Sequence, residues 1–255
     1  MSPALIAGLV VAGLFLLLAI GYLNQLVERN NLEKARRRAD LSDRMRRCAA
    51  LSRGFPGQMM TPRLKLLLAR VELFLGEQLA PLDKANASLT ARITELRSAA
   101  GQGEEIAVDN PPVQILSEAS AKEARLQLED LHALIIWAAK QNLLDTEAAR
   151  GWLQNVQHML VMLHVDYFNN HGKAALQQNN PHKARLAYER GLQYIRKQKD
   201  QAKYQPQLKQ LEASYRHANQ LEQQHQGPAL EEPSELAEGM KKFEDDDDWK
   251  INNIY

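Results

Sequence analysis

ALIAGLVVAGLFLLLAIGYL, residues 4–23, is a run of twenty uncharged and almost wholly apolar residues. At about 1.5 Å rise per residue it makes a helix of roughly 30 Å, the thickness of a bilayer hydrocarbon core. A helix satisfies its own backbone groups, as lipid demands. The run therefore predicts one transmembrane anchor over residues 1–23. The competing reading is a cleavable secretory signal, which has a basic n-region, an apolar stretch of about 7–15 residues and a small-x-small exit. Here Met1, Ser2 and Pro3 carry no side-chain charge, the run is longer, and Gly21, Tyr22, Leu23, Asn24 and Gln25 offer no such exit. The flanks favour the anchor.

Working outward, residues 24–53 form a basic juxtamembrane helix. Nine Lys and Arg (Arg29, Lys34, Arg36, Arg37, Arg38, Arg44, Arg46, Arg47, Arg53) face four acids (Glu28, Glu33, Asp40, Asp43), a charge of +5. Lys and Arg beside a span stay on the cytoplasmic side. The expectation is a single-pass protein of a bacterial-type inner membrane, N-terminus out and C-terminus in the cytoplasm. The lone Cys48 fits a reducing compartment, because it has no partner for an internal disulfide. Arg36, Arg37, Arg38, Arg44, Arg46 and Arg47 are candidates for contact with anionic lipid. The alternative is that these charges only set topology. Nucleic acid is not an expected partner, since no aromatics are interleaved with the arginines.

Composition extends the reading to the rest of the chain. Net charge is +1, but residues 227–255 carry nine acids against three lysines, −6. Leu, Ala, Gln, Lys, Glu and Arg dominate, and strand-like alternation is missing over any useful length. The predicted fold class is all-α. It has one transmembrane helix, a helical-hairpin bundle and a disordered acidic C-terminal tail. Domain limits are expected at 54–112 for a helical segment with a loop, 113–226 for the bundle and 227–255 for the tail.

Local signals place the helices. Gly54 to Gly57 breaks the first, and Thr61-Pro62 reads as an N-cap followed by proline at the first helical position. Arg63–Leu79 is leucine-rich but interrupted by Lys65, Arg70, Glu72 and Glu77, which predicts a buried or interfacial helix and not a second span. Helices are expected at 83–100 and 113–142, with a loop at 101–112. Asp145-Thr146 starts a long helix through Trp152, Val156, Met159, Leu160 and Leu163. Short polar joints between such helices predict antiparallel hairpins.

One segment carries a motif: FNNHGKAALQQNNPHKARLAYERGLQYI, residues 168–195. Phe168 and Gly172 are four apart, Ala184 lies twelve beyond the glycine, and Tyr188, Gly191 and Leu192 follow. Small residues at 172 and 184 let two helices approach closely, while Phe168 and Tyr188 fill the space between hairpins. This pattern resembles the tetratricopeptide repeat, a helix–turn–helix of 34 residues. Ala175 departs from it, where an aromatic is usual, as does Arg196 near the usual closing proline. The resemblance implies hairpin packing through Phe168, Gly172, Ala184, Tyr188, Gly191 and Leu192. A single repeat needs flanking helices, here 145–166 and 205–225.

Catalytic chemistry finds little support. His158, His164 and His171 share helical spacing but match no metal motif, and no nucleophile elbow or phosphate-binding glycine loop occurs. No catalytic, cofactor or metal residue is assigned. The sequence instead points to binding. Lys183, Arg185, Arg190, Arg196, Lys197 and Lys199 make a basic face on the repeat. Trp249, Ile254 and Tyr255 are large apolar groups in an acidic tail, the composition of a docking peptide. Expected partners are the membrane, a protein and anionic lipid. The function expected is a membrane-anchored adaptor or scaffold acting through the repeat-like domain and the tail. The alternative is a structural accessory subunit of an envelope complex, acting through its span and basic segment without binding peptide.

Overall fold

The computed structural model describes residues 3–225, with side chains described over 21–224. Seven α-helices are described, with a long segment over 102–117 between the third and the fourth, and no strand occurs among the described residues. The chain divides into two units at Pro111 and Pro112. Consecutive prolines remove two backbone donors and hold the preceding residue extended, so helix cannot run through the junction.

The first unit holds α1 (Pro3–Gly54), α2 (Pro62–Leu79) and α3 (Ala87–Gly101). Thr61 caps α2, its hydroxyl accepting from the Leu64 amide at 3.2 Å, and Pro62 occupies the first turn. Both α1 and α3 pack on α2. Leu64, Leu68 and Leu75 are fully buried, along with Phe55, which follows the end of α1. Asn86 caps α3 by accepting from the Leu89 amide at 3.1 Å. The helix therefore starts at Ala87 and not at Asp83.

Among the described residues no helix is long and apolar enough to cross a membrane. This corrects the expected transmembrane helix over 4–23 and, with it, the single-pass inner-membrane placement. From Glu28 to Arg47, α1 has a charged residue within every turn. In α2 the leucines are used internally: Leu64, Leu66, Leu67, Leu68 and Leu75 are buried, while Arg63, Lys65, Arg70, Glu72 and Glu77 break the apolar run. Most of the 4–23 run lies outside the described side chains, as does the tail over 226–255 with Trp249, Ile254 and Tyr255.

The second unit contains α4 (Glu118–Lys140), α5 (Thr146–Gln177), α6 (Pro181–Arg196) and α7 (Gln205–His225). Each helix packs on the next in the chain, as successive hairpins do. α4 begins five residues later than its apolar pattern suggests. Ser117 and Ser120 form a reciprocal capping box there. The preceding segment buries Ile115, whose carbonyl accepts from the Asn170 side chain at 3.3 Å. Asn142 and Asn179 end α4 and α5 in the left-handed conformation, at φ 58° and 55°, the role Asn shares with Gly at helix C-termini. Asp145 and Asn180 then cap α5 and α6.

Candidate protein-binding surface

The hairpin of α5 and α6 is built around small residues. A Cβ at Gly172 would meet the Tyr188 ring at 2.5 Å. The α5 backbone thus lies directly against an aromatic face that only glycine accommodates. Tyr188 is 1 % exposed, and Ala184, one turn earlier on α6, is fully buried. Burial pushes the Tyr188 phenol above its ordinary pKa despite a hydrogen bond with Ser214 of α7. Gly191 serves the next contact: its Cβ position lies 3.1 Å from both Phe168 of α5 and Leu211 of α7. Leu192 and Ile195 join Val161, Val165 and Leu211 in the same core. Phe168, Gly172, Ala184, Tyr188, Gly191 and Leu192 are therefore all buried in one three-helix contact.

Histidines stack singly on aromatics along this unit. His158 lies on Tyr204 with ring centroids 5.5 Å apart, and His164 on Tyr194 at 4.7 Å. His171 lies on Tyr167 at 5.8 Å. His164 places Nδ1 2.8 Å from the Leu160 carbonyl. Each ring serves its own packing site, and no group of three His, Cys, Asp or Glu able to hold a metal occurs among the described residues. Burial lowers the pKa of His158 and His171. Lys203 adds to the effect at His158, and Lys183 and Arg190 do so at His171.

The basic face splits in two. Arg185 donates to Glu222 of α7 through Nε at 2.5 Å and to Glu189 through Nη1 at 3.1 Å. His182 also meets Glu222, at 2.6 Å. Arg196 reaches Glu212 of α7 at 3.2 Å. These cations fasten α7 to α6. Lys183, Lys199 and Lys203 are exposed, and none has an ion pair among the described residues. Lys197 is exposed beside them and Arg190 half-buried. Lys183 stands at the start of α6, whereas Lys199 and Lys203 stand on either side of the exposed Asp200, where α6 has ended and the connection to α7 begins. Sequence reasoning missed Glu212 and Glu222, since only the packing of α7 brings them to α6.

The six α1 arginines proposed for lipid are partly engaged within the first unit. Arg38 pairs with Asp83 at 2.8 Å, Arg44 with Asp40 at 3.0 Å, and Arg47 with Asp43. Arg37 donates to Gln78 at 3.3 Å. Arg36 and Arg46 remain exposed. Glu72, Arg92 and Asn110 were also missed by sequence reasoning. Glu72 is 1 % exposed and accepts two bonds from Arg92, from Nε at 2.8 Å and Nη2 at 3.0 Å. The available signal was an acid inside an apolar helix, which demands a partner.

Compared with known proteins, the chain matches no family model, and neither a curated protein nor a solved structure shows significant similarity to it.

Proposed function

We propose that the second unit is a non-catalytic protein-binding module of tetratricopeptide-like type, and that the protein acts as an adaptor. Its ligand on this reading is an acidic segment, received at the cationic edge formed by residues 196–203. The observation that carries the reading is the division of labour among the cations. Arg185 and Arg196 are consumed in holding α7 on α6, while Lys199 and Lys203 stay exposed with no ion pair among the described residues. Structural needs leave the charge of these two lysines unused; it outweighs the exposed Asp200 between them, and a local excess of one sign recruits an oppositely charged partner. The resemblance in residues 168–195 supports the same reading, because stacked helical hairpins present extended binding surfaces. The acidic run 244–248 with Trp249 has the chemistry of a ligand for this edge, and it competes with a partner for it.

Binding of a labelled peptide with the sequence of residues 243–255 tests the reading. The protein is the full chain with Asp245 to Asp248 changed to Asn, which removes competition from the chain's own tail. Saturable binding at low salt is expected, weakened at least tenfold when Lys197, Lys199 and Lys203 are changed to Glu. Binding that ignores those reversals, or no binding at all, would refute the proposed edge.

A further inference from the structure

An open cleft of about 420 Å³ lies in the first unit, between α1 and α3 and above α2. That volume falls within the roughly 300–1,000 Å³ typical of small-molecule sites. On α1, Ser42, Arg46 and Arg53 line it at spacings of four and seven, a single stripe about 16 Å long. Met45 and Ala49 of α1, Glu72 of α2, and Arg92 and Glu95 of α3 complete the lining.

These charges are not equivalent. Arg92 is committed, giving Nε and Nη2 to the two Glu72 oxygens and Nη1 to Glu95 at 3.2 Å. The buried Glu72 carboxylate is thereby neutralised inside the wall. Arg46 makes no hydrogen bond or ion pair among the described residues. Arg53 has only a 3.3 Å bond from Nε to the Ala49 carbonyl of its own helix. The nearest acids on α1, Asp40 and Asp43, are held by Arg44 and Arg47. Arg46 and Arg53, about 10 Å apart along the helix axis, therefore line one trough with no acid paired to either among the described residues. A guanidinium presents a planar fork of donors that matches carboxylate or phosphate oxygens.

We propose that this cleft binds a small organic polyanion, a di- or tricarboxylate or a phosphate ester, gripped at its ends by Arg46 and Arg53. The Ser42 hydroxyl supplies a further donor on the same stripe. The site belongs to the first unit and is independent of the acidic-segment edge in the second, so either stands if the other fails.

Calorimetric titration of the full chain with citrate, succinate and pyrophosphate at low salt tests this. Succinate and citrate answering alone would assign a carboxylate ligand, and pyrophosphate alone a phosphate ligand. Either result supports the site if R46Q combined with R53Q weakens binding at least tenfold while R29Q combined with R36Q leaves it unchanged. All four side chains project from the same helix, and the two pairs remove equal charge. Absence of saturable binding by all three anions, or equal weakening by both pairs, would overturn the proposal in favour of general charge attraction.

Discussion

Gly172 shows how one atom decides the sign of a substitution. In an exposed helix interior, Gly→Ala gains about 1 kcal/mol from propensity. At Gly172 the new methyl would enter the Tyr188 ring, which is 1 % exposed and has nowhere to move. Overpacking costs about 1–3 kcal/mol, so Gly172→Ala is expected to destabilise. Gly151→Ala, with nothing within 4 Å of its Cβ position on the same helix, is expected to stabilise by about 0.5–1 kcal/mol. Chemical denaturation of the two variants measures both, and equal signs would contradict the packing. The sequence made Gly172 legible because a small residue four beyond Phe168 and sixteen before Tyr188 implies a close approach. Cys48 was less legible. The sequence shows it only as a lone cysteine, whereas the thiol is fully buried and donates to the Leu68 carbonyl at 3.3 Å. Burial, with Glu72 nearby, pushes its pKa far up. The native protein is expected to resist maleimide at pH 8 and to react only on unfolding; rapid native labelling would show that the site opens.

At the scale of elements, helix ends were readable where a side chain caps its own helix and obscure where the cap comes from afar. Thr61 and Asp145 are of the first kind. The end of α1 is of the second. Asn110, more than fifty residues away in sequence, donates to the carbonyls of Ser52, Arg53 and Phe55 at 3.0–3.2 Å, and Lys65 donates to both the Ser52 carbonyl and Asn110. The stretch 101–112 reads as a plain loop in sequence because nothing local records this return. Gly57 fixes its seat, donating to the Pro111 carbonyl at 2.9 Å and leaving no room for a Cβ beside Asn110. Asn110→Ala is expected to cost about 1–3 kcal/mol by leaving these carbonyls unsatisfied. Hydrogen exchange should then accelerate at residues 51–55 ahead of α3, and uniform exchange would place the cap's importance elsewhere. The Glu72–Arg92 pair joins α2 to α3 in a similar long-range way. Because Arg92 is 38 % exposed, its loss sits at the low end of the cost of stranding a buried charge, about 3 kcal/mol. Denaturant midpoints of Arg92→Leu against the double variant with Glu72→Leu test it, the double variant recovering part of the loss.

For the whole molecule, charge placement governs both stability and binding. His132, His158 and His171 have pKa values lowered by burial. Below about pH 6.5 the unfolded chain binds protons that the folded chain refuses, so stability falls as pH drops from 7 toward 5. Burial alone would raise Glu222, but hydrogen bonds from His182 and Arg185 and their charges hold it below the usual glutamate range. Its contribution is present above about pH 4.5 and is lost as pH falls further. A thermal-melt series from pH 7 to 4 should decline throughout, and a flat profile would contradict these environments. The helical character was legible from composition, whereas the expected membrane span was not supported among the described residues. The basic face was only half legible: nine cations against two acids in 173–209 omitted Glu212 and Glu222, which neutralise Arg196 and Arg185 from 16 and 37 residues away. Lys199 and Lys203 are left without an ion pair among the described residues, and amide shifts of the isotope-labelled chain, with Asp245 to Asp248 changed to Asn, during titration with the 243–255 peptide test the edge they belong to. Saturable shifts confined to the end of α6 and the connection to α7, with α4 silent, are expected; shifts centred on α4, or none at low salt, would contradict an acidic-segment site at this edge.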